Sequence, residues 1–264
     1  MNMKDYKTII IEAKNHVISV WLNRPEVHNA MNALMIEELT DAYSSFNNDQ
    51  TRAIVLRGKG RSFCAGADLN YMKGIASFGK EENREDSLKL ARLFQHIYTC
   101  PFPTIAMVHG SAYGGANGLL AACDIVLAEE NTTFAFSEVK LGIAPATIAP
   151  FVIKRIGEFG AKELMITGKR FKSGEALSWK LINKSVADNE LETELNRLLL
   201  EIKRNGPKAV RAAKKLVHSI IGYETDNMLE YTARIIAELR ASEEGQEGMA
   251  SFLEKRKPNW QSDE

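Results

Sequence analysis

Two stretches near the start of the chain, residues 7–13 and 16–22, are rich in isoleucine and valine, with lysine and asparagine between them, and predict a β-hairpin. Met35, Ile36, Leu39, Tyr43 and Phe46 then recur at helical spacing over 33–47. A short apolar run at 53–57 predicts a strand that enters the turn GKGRS. Residues 84–99 read as a helix, 104–108 as a strand after the breaker PFP, and 125–128 and 133–136 as two further short strands. After Pro150 the pattern changes. One short strand signal remains near 181–186, and helical spacing dominates 157–168, 173–180, 189–204, 207–220, 225–241 and 243–256. Strands alternating with helices, then a helical tail, predict an α/β core over 1–200 and a helical C-terminal region over 201–264. That tail is amphipathic, so it is expected to pack on the core or on a second subunit.

Composition narrows the function classes. The 264 residues are 45% hydrophobic and 26% charged, with 34 Lys plus Arg against 34 Asp plus Glu. A balanced charge gives no broad attraction to nucleic acid or an anionic membrane, so neither is expected as a partner. The first apolar run, Ile9–Ile11, stops at Glu12, which argues against a secretory signal. No stretch reaches the roughly 18 apolar residues of a membrane span. Cys64, Cys100 and Cys123 form no CxxC pair, and the five histidines show no metal-ligand spacing. A cytoplasmic protein without a metal or separate cofactor is expected.

Familiar motifs are absent as well. GKGRS at 58–62 is not a P-loop, Gly114–Gly118 lacks a dinucleotide fingerprint, and no serine sits in a GxSxG elbow. Two small-residue loops are more informative. FCAGADL, 63–69, follows the strand at 53–57, and Gly114–Gly115 follows the strand at 104–108 and opens a helix. Each reads either as a tight packed turn or as bare backbone brought close to a ligand. One N–H from each, converging, would make an oxyanion hole, placed at the C-terminal strand ends where α/β sheets bind ligands. Glu138, between Phe136, Val139, Leu141 and Ile143, is either an exposed strand-end glutamate or a carboxylate whose raised pKa suits proton transfer.

With these residues assembled, the chain resembles the crotonase, or enoyl-CoA hydratase/isomerase, superfamily, most nearly the bacterial methylglutaconyl-CoA-type hydratases. The resemblance runs through LNRPEVHNAMN (22–32), RSFCAGADL (61–69), HGSAYGGANGLLAACD (109–124), SEVKLGIAP (137–145), TGKRFKSGEALSWKLIN (167–183) and EGMASFLEKRKPNW (247–260). It implies a superhelix of repeated ββα units, a helical C-terminal trimerisation region, and a homotrimer or a hexamer built as a dimer of trimers. It implies an acyl-CoA substrate. Ala67 and Gly115 would supply the oxyanion amides and Glu138 the catalytic carboxylate. Ala65, Gly66, Asp68 and Leu69 would line the CoA path beside Gly114, with Arg24 near the CoA phosphates. Phe252 and Lys255 would reach a neighbouring subunit's CoA.

One departure from the family pattern changes the chemistry. Counting back from Cys123–Asp124, the first of the two carboxylates of ordinary hydratases falls at Gly118; the second is Glu138. Asn117 lies about 100° around the helix and is not a direct substitute. Three readings stand. The chain is a hydratase running on Glu138 alone, with 3-methylglutaconyl-CoA of leucine breakdown as a candidate substrate. It is a Δ3,Δ2-enoyl-CoA isomerase, for which one carboxylate suffices. Or it binds acyl-CoA without turnover. Gly118 is expected to leave room for a branched or carboxylated acyl group.

Overall fold

The predicted hairpin is present in the computed structural model, which describes residues 4–220 and 225–261. Ile9–Lys14 (β1) pairs antiparallel with Val17–Leu22 (β2). Asn15 and His16 close it with φ of 50° and 64°, the left-handed pair that matches a two-residue turn to the twist of its strands. Ala33–Ser45 (α1) follows, its first turn capped by Asn32, whose side chain accepts from the Met35 N–H. Ala53–Gly58 (β3) leads through the small-residue loop into Leu69–Ile75 (α2) and Lys80–Tyr98 (α3).

Two further strand–strand–helix units repeat this plan. Thr104–Val108 (β4), Ser111–Tyr113 (β5) and Ala116–Ala122 (α4) form the first. Ile125–Glu129 (β6), Thr133–Ala135 (β7), a 3-10 turn at Glu138–Leu141 and Ala149–Thr167 (α5) form the second. Arg170–Lys172 (β8), Ser173–Ser178 (α6) and Lys184–Val186 (β9) complete the strands, followed by Leu191–Arg204 (α7). The leading strands build a six-stranded sheet, β1-β2-β3-β4-β6-β9, parallel from β2 onward. The second strands build a small sheet, β5-β7-β8, which an isolated bridge between Cys64 and Ala112 extends. This is the expected α/β superhelix of ββα units. β3 and β4 are central and read as continuous apolar runs because both sheet faces are covered.

The chain divides into two compact units, Met1–Cys100 with Thr104–Leu195, and Pro101–Pro103 with Asn196–Glu264. The second is helical: Pro207–Ile220 (α8), Thr225–Ala241 (α9) and Glu243–Leu253 (α10). Pro207 suits the first position of α8, where no backbone donor is required. The Glu244 carboxylate accepts from the Lys208 and Ala209 N–H groups at 2.9 and 2.8 Å. Within the same unit Lys214 Nζ donates to the Phe102 carbonyl at 2.8 Å, and the Arg211 guanidinium lies over the Phe102 ring. No helix of the described residues is long and apolar enough to cross a membrane.

Three elements were not predicted: α2, β5 and β8. Each is short, and α2 buries no side chain, so it carries no hydrophobic period. The helix expected at 157–168 begins at Ala149 and is broken at Gly157, where φ is 76°.

Candidate active site

The two small-residue loops meet along one line of backbone. Cys64 N–H donates to Ser111 O at 3.0 Å and Tyr113 N–H to Cys64 O at 3.2 Å, so the 63–69 loop runs beside β5 toward Gly114. Gly66 must be glycine here. Its φ is 98°, and a Cβ would stand 3.0 Å from the Tyr113 carbonyl oxygen. One step on, Met31 N–H donates to Gly66 O at 2.7 Å and Asp68 N–H to Met31 O at 2.8 Å, a parallel bridge between Met31 and Ala67. Because Met31 bonds the residues on either side of Ala67, the Ala67 N–H faces away from that bridge.

Gly115 touches the same methionine. A Cβ on Gly115 would lie 2.7 Å from Met31 Cε. Ala67 and Gly115 therefore flank one residue. Among the described residues neither N–H donates a hydrogen bond. Two unpaired backbone donors beside a glycine turn are what an oxygen-binding site needs.

Glu138 completes the cluster. It starts the 3-10 turn after β7, and its Oε1 is 3.4 Å from where a Gly114 Cβ would be. Gly114 has φ of 52° and its N–H donates to Ala135 O at 2.9 Å, which ties the glycine turn to the strand leading to Glu138. Glu138 Oε2 is buried and has no hydrogen-bond partner among the described residues. Burial raises the Glu138 pKa above the ordinary glutamate value, against a smaller lowering from its own backbone N–H. The apolar surroundings differ from expectation. Phe136 is fully buried and stacks near Phe171, but Leu141 and Ile143 are 60% and 57% exposed. The neighbour the structure does place by the carboxylate is the bare backbone of Gly114.

The expected room beside Gly118 is not there. A Cβ at that position would lie 2.5 Å from Ile148 Cγ2 and 2.6 Å from Phe94 Cζ, both on fully buried side chains. The absent carboxylate has been replaced by packing, so Gly118 opens no pocket for a branched acyl group. Phe94 and Ile148 were not singled out in the sequence: Phe94 reads as an ordinary core position of the 84–99 helix, and Ile148 precedes the helix expected at 157–168.

The other candidate positions separate by role. Arg24 donates to Asp68 at 2.9 Å and to the Ala30 carbonyl at 2.6 Å. Asp68 also caps α2, accepting from the Asn70 and Tyr71 N–H groups. Burial pushes the Asp68 pKa up, but the Tyr71 N–H, Arg24 and the Asn70 N–H together outweigh it and hold the carboxyl below its ordinary value. Both charges thus brace the loop that carries Ala67. Ala65 N–H donates to His28 O at 3.0 Å, while the Leu69 side chain is open to solvent. Phe252 and Lys255 lie in the helical unit at the end of α10, Phe252 83% exposed and Lys255 at φ of 58°.

Asp68→Ala is expected to cost about 2 kcal/mol, the upper range for a lost helix cap, because Arg24 also loses its ion partner. The lowered carboxyl pKa fixes the sign of the pH effect. The stabilisation is present above the ordinary aspartate value and is lost as pH falls through the depressed one. Urea unfolding of both proteins near neutrality and in strong acid checks this: the difference should shrink in acid.

Comparison with known proteins places the whole chain in one family. The family described as enoyl-CoA hydratase/isomerase matches residues 12–263. The short-chain-enoyl-CoA hydratase of Clostridium acetobutylicum is 31% identical over 96% of this chain and 97% of its own. The crotonyl-CoA hydratase of Syntrophomonas wolfei is 32% identical over 97% and 98%. Among solved structures, an enoyl-CoA hydratase from Shewanella pealeana superposes with a TM-score of 0.92 at 36% identity, covering 96% of each chain. A profile match over most of the length, full-length relatives and a shared fold together show that the chain belongs to the enoyl-CoA hydratase/isomerase family.

Proposed function

We propose that the protein is an enoyl-CoA hydratase that works with one carboxylate. The observation that carries this reading is the pair of Ala67 and Gly115 N–H groups on either side of Met31, next to a buried oxygen of Glu138, all three without a partner among the described residues. The thioester oxygen of a 2-enoyl-CoA accepts from both amides. Water adds at C3, the C2–C3 π pair moves toward the carbonyl, and negative charge develops on the oxygen they hold. Glu138 takes the water proton and returns a proton to C2, giving the 3-hydroxyacyl-CoA and the starting carboxylate. No further cofactor is needed, since CoA is part of the substrate.

Ala65, Gly66, Asp68 and Leu69 are assigned to the CoA path beside Gly114, and Arg24 to the end nearest its phosphates. The helical unit is assigned to a trimer or hexamer contact, supported by Phe252 and Leu253, 83% and 79% exposed on α10. For the acyl group, 3-methylglutaconyl-CoA remains the candidate that the glycine-loop motif supports, without help from Gly118. A second reading has its own support. A single carboxylate, with its partner's place filled by Phe94 and Ile148, also suits an isomerase that removes a proton from C2 and returns it at C4.

Incubation with crotonyl-CoA, 3-methylglutaconyl-CoA and a 3-enoyl-CoA in isotopically labelled water separates these readings. Loss of the conjugated enoyl absorbance with labelled oxygen in the product is the expected result. Migration of the double bond without oxygen uptake makes the protein an isomerase, and binding without change makes it a carrier. Light scattering of the purified chain tests the trimer.

A further inference from the structure

Asn117 is fully buried next to this site and does not act as the missing carboxylate. Its Nδ2 lies 2.9 Å from Ala135 O and 3.3 Å from both Ala112 O and Gly114 O. Three carbonyl oxygens around one end of the side chain identify that end as the NH2 group. Its Oδ1 is buried and has no partner among the described residues. An unpaired buried oxygen is a cost that an apolar side chain of similar size avoids. Stability of α4 alone therefore does not explain an asparagine here; its donors do.

Those donors hold the far side of the oxyanion peptide. The Gly114 carbonyl accepts from the Asn117 backbone N–H at 2.9 Å and from Nδ2. That carbonyl and the Gly115 N–H belong to one planar trans peptide and point in opposite directions. Fixing the oxygen fixes where the Gly115 N–H aims. Donors on the carbonyl also polarise the peptide and strengthen the N–H on its other side, as in any hydrogen-bonded chain. Nδ2 further binds Ala135 O, which accepts the Gly114 N–H as well and lies three residues before Glu138. One amide thus sets the glycine turn against the strand that delivers the carboxylate.

We infer that Asn117 is a positioning residue for the reaction: it aims and polarises the Gly115 N–H and holds that donor in register with Glu138. This rests on the oxyanion reading of Ala67 and Gly115 given above. The test uses the full chain and two variants. Asn117→Leu removes the donors at similar volume, and Asn117→Asp replaces the NH2 with oxygen. Circular dichroism and thermal unfolding show which variants fold, and Asn117→Asp decides where the leucine variant does not.

The first readout is steady-state hydration of crotonyl-CoA. The second needs no turnover: the infrared stretch of an isotope-labelled thioester carbonyl in bound butyryl-CoA, whose downshift reports polarisation by the oxyanion donors. The expected result is a kcat lower by roughly 10–100-fold, a fraction of the full loss of one donor. The KM and the butyryl-CoA affinity should change less than about 3-fold, in keeping with loss of transition-state contacts alone, and the carbonyl downshift should shrink.

A downshift unchanged from wild type overturns the inference. So does a fall in butyryl-CoA affinity that tracks kcat, which marks a merely structural role. The two readings fail separately. A wild-type protein that shifts the carbonyl but hydrates no enoyl-CoA removes the hydratase reading and leaves the role of Asn117 to the infrared comparison.

Discussion

Glu138→Gln lowers kcat for hydration by about 10²–10⁴, the range of a general acid–base group, and by the upper part of it if no second carboxylate shares the work. KM should change little, because glutamine keeps the volume and the proposed reaction holds the thioester oxygen by backbone. The same change is expected to stabilise the fold. Burial raises the Glu138 pKa, so the folded state binds a proton more readily than the unfolded chain. Wild-type stability then falls as pH rises from the ordinary glutamate value through the raised one, and stays lower above it. Glutamine has no such cost. The Tm advantage of Glu138→Gln should be present near neutrality and shrink as pH drops toward the ordinary glutamate pKa. Activity follows the opposite limb: wild-type kcat/KM declines in acid as the base is protonated. A glutamine variant within tenfold of wild-type kcat removes Glu138 from the chemistry.

Much of this was readable because the signals were local. The hairpin showed as two β-branched runs around Asn15 and His16, and both residues take the positive φ such a turn requires. β4 was read at its observed bounds, since an apolar run after PFP has few alternatives. The glycines at 66, 114 and 115 marked close backbone approaches, and the structure shows what they approach: the Tyr113 carbonyl, the Glu138 carboxylate and the Met31 methyl. What stayed hidden was non-local. Met31 gives no sequence sign that its backbone bridges Ala67 while its side chain touches Gly115. Asn117 was weighed only as a replacement base, because helical geometry says where a residue points but not which carbonyls surround it. Leu141 and Ile143 read in sequence as apolar neighbours of Glu138 and are exposed; they lie in and just past a four-residue 3-10 turn, too short for its period to show a buried face.

Gly118→Glu would restore the two-carboxylate pattern on paper and is expected to fail in this fold. The first carbon added already lies 2.5 Å from Ile148 and 2.6 Å from Phe94. Both side chains are buried, and Phe94 is in edge contact with Phe151 at a centroid distance of 5.9 Å. Overpacking costs about 1–3 kcal/mol, and a buried carboxylate without a partner adds to that. A loss of roughly 3 kcal/mol or more at neutral pH is expected in urea unfolding, with no gain in hydration rate. Phe94→Ala alone should cost about 3–5 kcal/mol through its cavity. Combined, the two changes touch the same space and should cost clearly less than their sum, because the new side chain occupies what the ring vacates. If Gly118→Glu instead unfolds like wild type and hydrates faster, Phe94 and Ile148 yield easily and the site does not depend on one carboxylate. If the double mutant is simply additive, these residues do not share the space at Gly118, and the packing that explains the lost carboxylate is wrong.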